Sequence, residues 1–109
     1  MSNIKYMKTQ EHVSEDWETL ISFLPDGWRQ EAKKRGALKR CREVKDAETL
    51  LHILMIHLAQ GYSLKETAVR VRLSGLANIS SVGIYKRMKA SGEWLRWMAQ
   101  ELMKMVIAG

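Results

Sequence analysis

Apolar side chains along this chain recur at intervals of three and four rather than two, and that spacing predicts helices. Trp17, Leu20, Ile21 and Leu24 form a first stripe behind a capping Ser14. Glu15 and Asp16 face the positive end of that helix, and Pro25 stops it. PDGW then turns the chain, with Asp26 placed to cap a short second helix, Trp28 to Arg35, that Gly36 ends in a left-handed conformation. Asp46 caps a third helix, Ala47 to Gln60, closed by Gly61. One of its faces carries Ala47, Leu50, Leu51, Leu54 and Leu58, and Ile53, Ile56 and Ala59 occupy much of the rest. A helix apolar nearly all round is expected to be central and buried.

The second half has the more informative geometry. Ser63-Leu64-Lys65-Glu66 reads as a capping box, so a fourth helix starts at Leu64, with Leu64, Ala68 and Val71 as its stripe and Gly75 as its stop. Ser80 or Ser81 caps a fifth helix that runs to about Ala90. On a helical wheel Ser81, Ile84, Tyr85 and Met88 fall on one side, whereas Gly83, Lys86, Arg87 and Ala90 fall on the other. The first side reads as core and the second as a basic face whose small residues allow close approach, for which a major groove about 12 Å wide is the natural counterpart. Ser91-Gly92 breaks the chain before a sixth helix, Trp94 to about Ile107, with Trp94, Leu95, Met98, Leu102 and Met105 as its stripe. Trp97, Met103 and Ile107 fall off that stripe and predict a second apolar surface for another chain or domain.

The pattern therefore predicts an all-α fold, a compact bundle of about six helices. Residues 1–13 read as a flexible N-terminal tail and 14–109 as the helical domain. Helices four and five form a variant helix-turn-helix, since their link, Ser74 to Ser80, has seven residues where about three or four are usual. Many bundles that bind nothing share such a pair, so a DNA-reading motif and a plain bundle both remain open on these residues.

Charge narrows the choice. In 109 residues, 18 Lys and Arg oppose 12 Asp and Glu, a formal net charge of +6 that favours a polyanionic partner. The excess is concentrated in AKKRGALKRCREVK, where Lys33, Lys34, Arg35, Lys39, Arg40, Arg42 and Lys45 face only Glu43. That run reads either as a solvated connector or as a segment that contacts phosphates. Other chemistry finds little support. His52 and His57 lie about 140° apart on the third helix and cannot share a metal. Cys41, the one cysteine, has no histidine at a catalytic spacing and allows no disulfide. No phosphate-binding glycine motif occurs, so no cofactor is expected. Apolar runs such as Ile53 to Ile56 stop at four residues, far from the roughly 20 that span a bilayer. With no signal peptide in MSNIKYMKTQEH, a cytoplasmic location is expected.

From FLPDGW through GALKRCREVKDAETLLHILMIHLAQGYSLKETAVRVRLSGLANISSVGIYKRMKASGEWL, roughly residues 20 to 96, the chain resembles the N-terminal region of bacterial insertion-sequence transposases of the IS-four-like DDE group. The resemblance lies in a run of linked elements: the leucine-rich helix LLHILMIHL, the block GYSLKETA, and the serine-started basic helix SSVGIYKRMKASGEWL. It implies a domain that binds double-stranded DNA and recognises the terminal inverted repeats of a transposon. On this reading Lys33, Lys34, Arg35, Lys39, Arg40 and Arg42 meet phosphates, Lys86, Arg87 and Lys89 lie at or in the groove, and Ser80 and Ser81 offer donors at a helix start.

The family's reaction requires a further domain in which two aspartates and a glutamate hold two divalent metals. No such triad is expected in this all-α chain, whose Asp26, Asp46 and Glu66 read as helix caps, so the chain itself is not expected to be an enzyme. A missing C-terminal catalytic domain or a second copy would cover the sixth helix, and the location would be nucleoid-associated. Two alternatives stay open: a stand-alone helix-turn-helix transcriptional regulator that dimerises through helix six, and a helical protein-interaction module.

Overall fold

The computed structural model describes residues 16–108, which form six helices and, among the described residues, no strand. They are α1 (16–22), α2 (Trp28–Lys34), α3 (Ala47–Gln60), α4 (Leu64–Leu73), α5 (Ser81–Ala90) and α6 (Gly92–Ala108). The expected tail 1–13 and the cap Ser14 lie outside the described residues.

Most boundaries follow local chemistry. The Asp46 carboxylate accepts the Thr49 amide at 2.7 Å, the Ser63 hydroxyl accepts the Glu66 amide at 3.1 Å, and the Ser80 hydroxyl accepts the Gly83 amide at 3.1 Å. Each satisfies a donor that the first helical turn leaves unpaired. The reciprocal half of the expected capping box is replaced, because Glu66 turns forward to Arg70 at 3.0 Å. Gly61 closes α3 at φ 71° and Gly75 follows α4 at φ 78°, conformations that cost a residue without Cβ nothing. Two boundaries differ from expectation. Gly27, at φ 80°, is the residue that precedes α2 and makes no side-chain cap, so Asp26 does not cap it. Helix α6 starts at Gly92, leaving the single residue Ser91 between it and α5.

Helix α3 is central as its pattern predicts. It packs against α2, α4 and α5, and it supplies Leu50, Leu51, Ile53 and Leu54 to a core completed by Val71, Ile79, Ile84, Trp94 and Met98. Burial of each such side chain contributes about 1.5–3 kcal/mol. The helix is not buried to its end: Leu58 is 54% exposed. Helix α6 closes the bundle against α2 and α5. There the Trp94 indole nitrogen donates to the Trp28 carbonyl at 2.8 Å, and the two rings lie nearly parallel with centroids 6.2 Å apart. Helix α1 is held at the side of α3 by Trp17, whose ring stacks on His52 at 4.2 Å and whose nitrogen donates to Glu48 at 3.3 Å.

The apolar surface of α6 lies further along the helix than its wheel predicts. Trp97 packs partly against the core with the Arg35 guanidinium 5.6 Å from its ring centroid. Met105, expected in the stripe, is exposed together with Met103, Val106 and Ile107.

Candidate nucleic-acid interface

The basic run folds into an irregular connector between α2 and α3, held by short-range bonds. The Ala37 amide donates to the Ala32 carbonyl at 2.9 Å, Lys39 to Gly36 at 3.2 Å, and Cys41 to Leu38 at 3.3 Å. Ala37 and Val44 anchor it in the core, which leaves the cations between them outside. Arg40 has φ 57°, a left-handed backbone that is unusual for a residue with a side chain.

With the end of α2 and the start of α6, this connector walls an open groove of about 730 Å³. Lys33, Lys34, Arg35, Lys39 and Lys45 line it beside the single carboxylate of Glu93, and Leu38, Cys41 and Val44 form its apolar floor. Among the described residues, Arg35 is the one of these cations held in an ion pair, to Glu31 at 2.6 Å. Lys33, Lys34, Lys39, Arg40, Arg42 and Lys45 are exposed and form no ion pair among the described residues. Of the cations singled out in the sequence, Arg35 is half-buried and the others of this run are exposed, and Arg40 and Arg42 do not line the groove. The Cys41 thiol donates to the Glu43 carboxylate at 3.8 Å. Backbone amide bonds from Glu43 itself hold that carboxyl below the usual range; desolvation opposes this, while the Arg42 amide, the thiol and the charge of Arg87 add to it.

Helix α5 turns Ile84 and Met88 toward the core and Lys86 outward as expected, but Gly83, Arg87 and Tyr85 depart from the expected division of its faces. Gly83 does not face outward: a Cβ there would lie 2.7 Å from Ile79 Cγ1, because Ile79 in the α4–α5 link tucks beneath the helix start. Arg87 is also turned inward. One of its terminal nitrogens donates to the Ala37 carbonyl at 2.8 Å and to the Lys39 carbonyl at 3.1 Å. The Ser80 hydroxyl is engaged as the cap, and Ser81 is half-buried. The exposed face instead carries Val82, Tyr85, Lys86 and Lys89, with the Lys89 ammonium 5.4 Å from the Tyr85 ring centroid. Val82 and Tyr85 were missed as surface residues, although the spacing 82, 85, 86, 89 marks one helical face. Val82 and Tyr85 also line a shallow depression with Ser63, Leu64, Lys65 and Ser81, where the starts of α4 and α5 meet.

His52 and His57 are used structurally. Burial holds the His52 imidazole below its ordinary value, with Glu48 opposing, and His57 Nδ1 lies 2.7 Å from the Tyr62 carbonyl, which requires the proton on that nitrogen. Among the described residues no group of three or more His, Cys, Asp or Glu side chains could hold a metal ion, and no helix is long and apolar enough to cross a membrane.

Comparison with known proteins bears out the resemblance seen in the sequence: the chain is similar to bacterial insertion-sequence transposases. It is 29% identical over 91 residues to the protein named "Putative transposase InsL for insertion sequence element IS186A" from Escherichia coli strain K12, covering 82% of this chain and 25% of that one. It is 28% identical over 92 residues to the "Transposase for insertion sequence element IS421" of Escherichia coli, with the same coverage. The chain thus spans about a quarter of the length of these relatives. No family model matches it, and no solved structure does.

Proposed function

We propose that this chain is the DNA-binding region of an insertion-sequence transposase and that it recognises the terminal inverted repeats of its element. The observation that carries the reading is a surface of unpaired cations, Lys33, Lys34, Lys39, Arg40, Arg42 and Lys45, on a fold whose sequence is similar to transposases over most of its length. Cations without protein partners are free to replace the counterions of a phosphate backbone.

In this reading α4, the link and α5 act as a variant helix-turn-helix, packed on α3. The connector cations fix position on the duplex, and the exposed face of α5, Val82, Tyr85, Lys86 and Lys89, meets the bases. That face replaces the one centred on Gly83 and Arg87. Ser81 remains a donor at the start of α5, whereas the Ser80 hydroxyl is already used by the cap. Its part in transposition is binding rather than catalysis, on the chromosome in the cytoplasm. The exposed apolar end of α6 is the surface we assign to a further transposase domain or a second copy.

The test is a fluorescence anisotropy titration with a duplex carrying the element's terminal repeat and a scrambled duplex of equal length, at several salt concentrations. Tighter binding to the repeat, weakening steeply with salt, is expected. Equal affinity for both duplexes would remove end recognition, and no binding to either would favour a protein-interaction module.

A further inference from the structure

Arg87 belongs to α5 by sequence, yet its hydrogen bonds lie in the basic connector 48 and 50 residues away. We infer that Arg87 is a positioning residue: it holds the connector in the shape that presents its cations, and it ties the groove to α5 so that the two meet DNA as one body. The inference rests on the proposed DNA-binding role for its consequence, but not for the clamp itself.

Between its anchors the connector packs Leu38 and Cys41 partly against the core, while Lys39, Arg40, Arg42 and Glu43 are exposed. Ala37 and Val44 are buried, and, those of Arg87 apart, the polar bonds of the stretch between them are the turn bonds of Lys39 and Cys41, at 3.2 and 3.3 Å, and the thiol contact to Glu43. Arg40 sits within this stretch at φ 57°, a conformation that persists only where its surroundings enforce it. The Arg87 guanidinium grips the chain on the near side of that strained residue, at the carbonyls of Ala37 and Lys39, and its charge reaches Glu43 on the far side. A guanidinium spent on two carbonyls is poorly placed to read a base as well. Its effect on DNA would pass through Lys39, Arg40 and Arg42.

Two measurements on the full chain test this. The first needs no DNA: amide hydrogen exchange of Arg87→Met against the unmutated protein. The Lys39 and Cys41 amides should exchange on the order of tenfold faster while those of Leu50 to Leu54 in α3 keep their protection. If Arg87→Met lowers the stability of the whole bundle, Arg87→Gln, which keeps a shorter donor, supplies the same comparison. Unchanged exchange at Lys39 and Cys41, or a uniform change throughout in both variants, would overturn the clamp.

The second is a double-mutant cycle read by DNA affinity with random duplex. Arg87→Met should weaken binding severalfold in the unmutated chain and have no further effect where Lys39, Arg40 and Arg42 are already alanine. Independent losses that multiply would show Arg87 contacting DNA directly and overturn its action through the connector. Failure of the unmutated chain to bind any duplex would refute the DNA-binding function and with it the consequence drawn for Arg87. The exchange experiment would still decide whether the clamp exists.

Discussion

Ile79 fills the space that a side chain at position 83 would need: a Cβ on Gly83 would sit 2.7 Å from Ile79 Cγ1 and 3.3 Å from its Cδ1. Ile79 is buried, so it has little room to withdraw. Elsewhere in a helix, replacing glycine by alanine stabilises by roughly 0.5–1 kcal/mol, but overpacking a filled site costs about 1–3 kcal/mol. Gly83→Ala should therefore destabilise the fold in urea denaturation. In an Ile79→Ala background, where the clashing carbon is gone, the same change should become stabilising. A stabilising Gly83→Ala in the unmutated chain would show that Ile79 is free to move aside.

The centre of the fold gives a second expectation. Leu54 is fully buried in α3, so Leu54→Ala removes a packed side chain and leaves a cavity, at a cost of about 2–5 kcal/mol. Leu58, on the same predicted face but 54% exposed, should lose less than about 1 kcal/mol on the same change. Equal losses in the two urea midpoints would contradict the position of α3.

Stability should also depend on pH through His52. Burial against Trp17 disfavours its charged form, so its folded pKa lies below the ordinary value of about 6.5, despite the opposing charge of Glu48. Above that value neither state binds the proton and His52 contributes no pH dependence. Below it the unfolded chain takes up the proton first, so stability falls as pH drops toward the folded pKa. The urea midpoint of His52→Gln should fall less between pH 7.5 and 5 than that of the unmutated protein, since shared carboxylate effects cancel in the difference. Parallel losses in both proteins would show that His52 is not the responsible group.

How much of this was legible depended on whether the signal was local. Asp46, Gly61, Ser63 and Ser80 act on amides within three residues or on their own backbone, and the helices they bound appear where the sequence places them. On α5 the inward side of Ile84 and Met88 was legible, but the covering of Gly83 was not, because Ile79 sits in the link and its fold-back under Gly83 is a tertiary event. Periodicity over ten residues with a glycine, an alanine and a serine carries little direction. Trp97 was misplaced for the same reason: Arg35, which lies over its ring, stands just after α2, 62 residues earlier in the chain. The cationic surface was legible, since a dense run with one acid has too few partners to neutralise it, but the inward turn of Arg87 depends on carbonyls far away in sequence.

Arg40 sets stability against the proposed DNA binding. At φ 57° a side chain costs roughly 1–2 kcal/mol relative to the right-handed region, and glycine removes most of that cost while adding some unfolded-state entropy. Arg40→Gly should leave the fold as stable or up to about 1 kcal/mol more stable. On the proposed function it should also weaken binding to every duplex, because it removes one of the cations assigned to phosphates. A clear loss of stability would mean that the Arg40 side chain has a packing role.

The two parts of the proposed interface should separate by salt and by sequence. Phosphates are alike in every duplex, so replacing Lys39, Arg40 and Arg42 together by alanine should weaken binding to repeat and scrambled DNA equally. It should also flatten the plot of log K against log salt by up to roughly 0.9 per lost contact. Preference for the repeat should survive. On α5 the exposed Tyr85 and Lys86 lie on the face left free once Gly83 and Arg87 turn inward, and base edges differ in the groups they present. Tyr85→Ala and Lys86→Ala should each reduce discrimination between the two duplexes, by about 1–3 kcal/mol where a good base contact is lost. Most of the affinity for scrambled DNA should remain, although Lys86→Ala also removes a charge and should shift the salt slope slightly. Anisotropy titrations of all three variants with both duplexes, over several salt concentrations, provide the comparison. If Tyr85→Ala leaves discrimination intact while the connector variant abolishes it, base reading belongs to the connector, and α5 serves only to carry it.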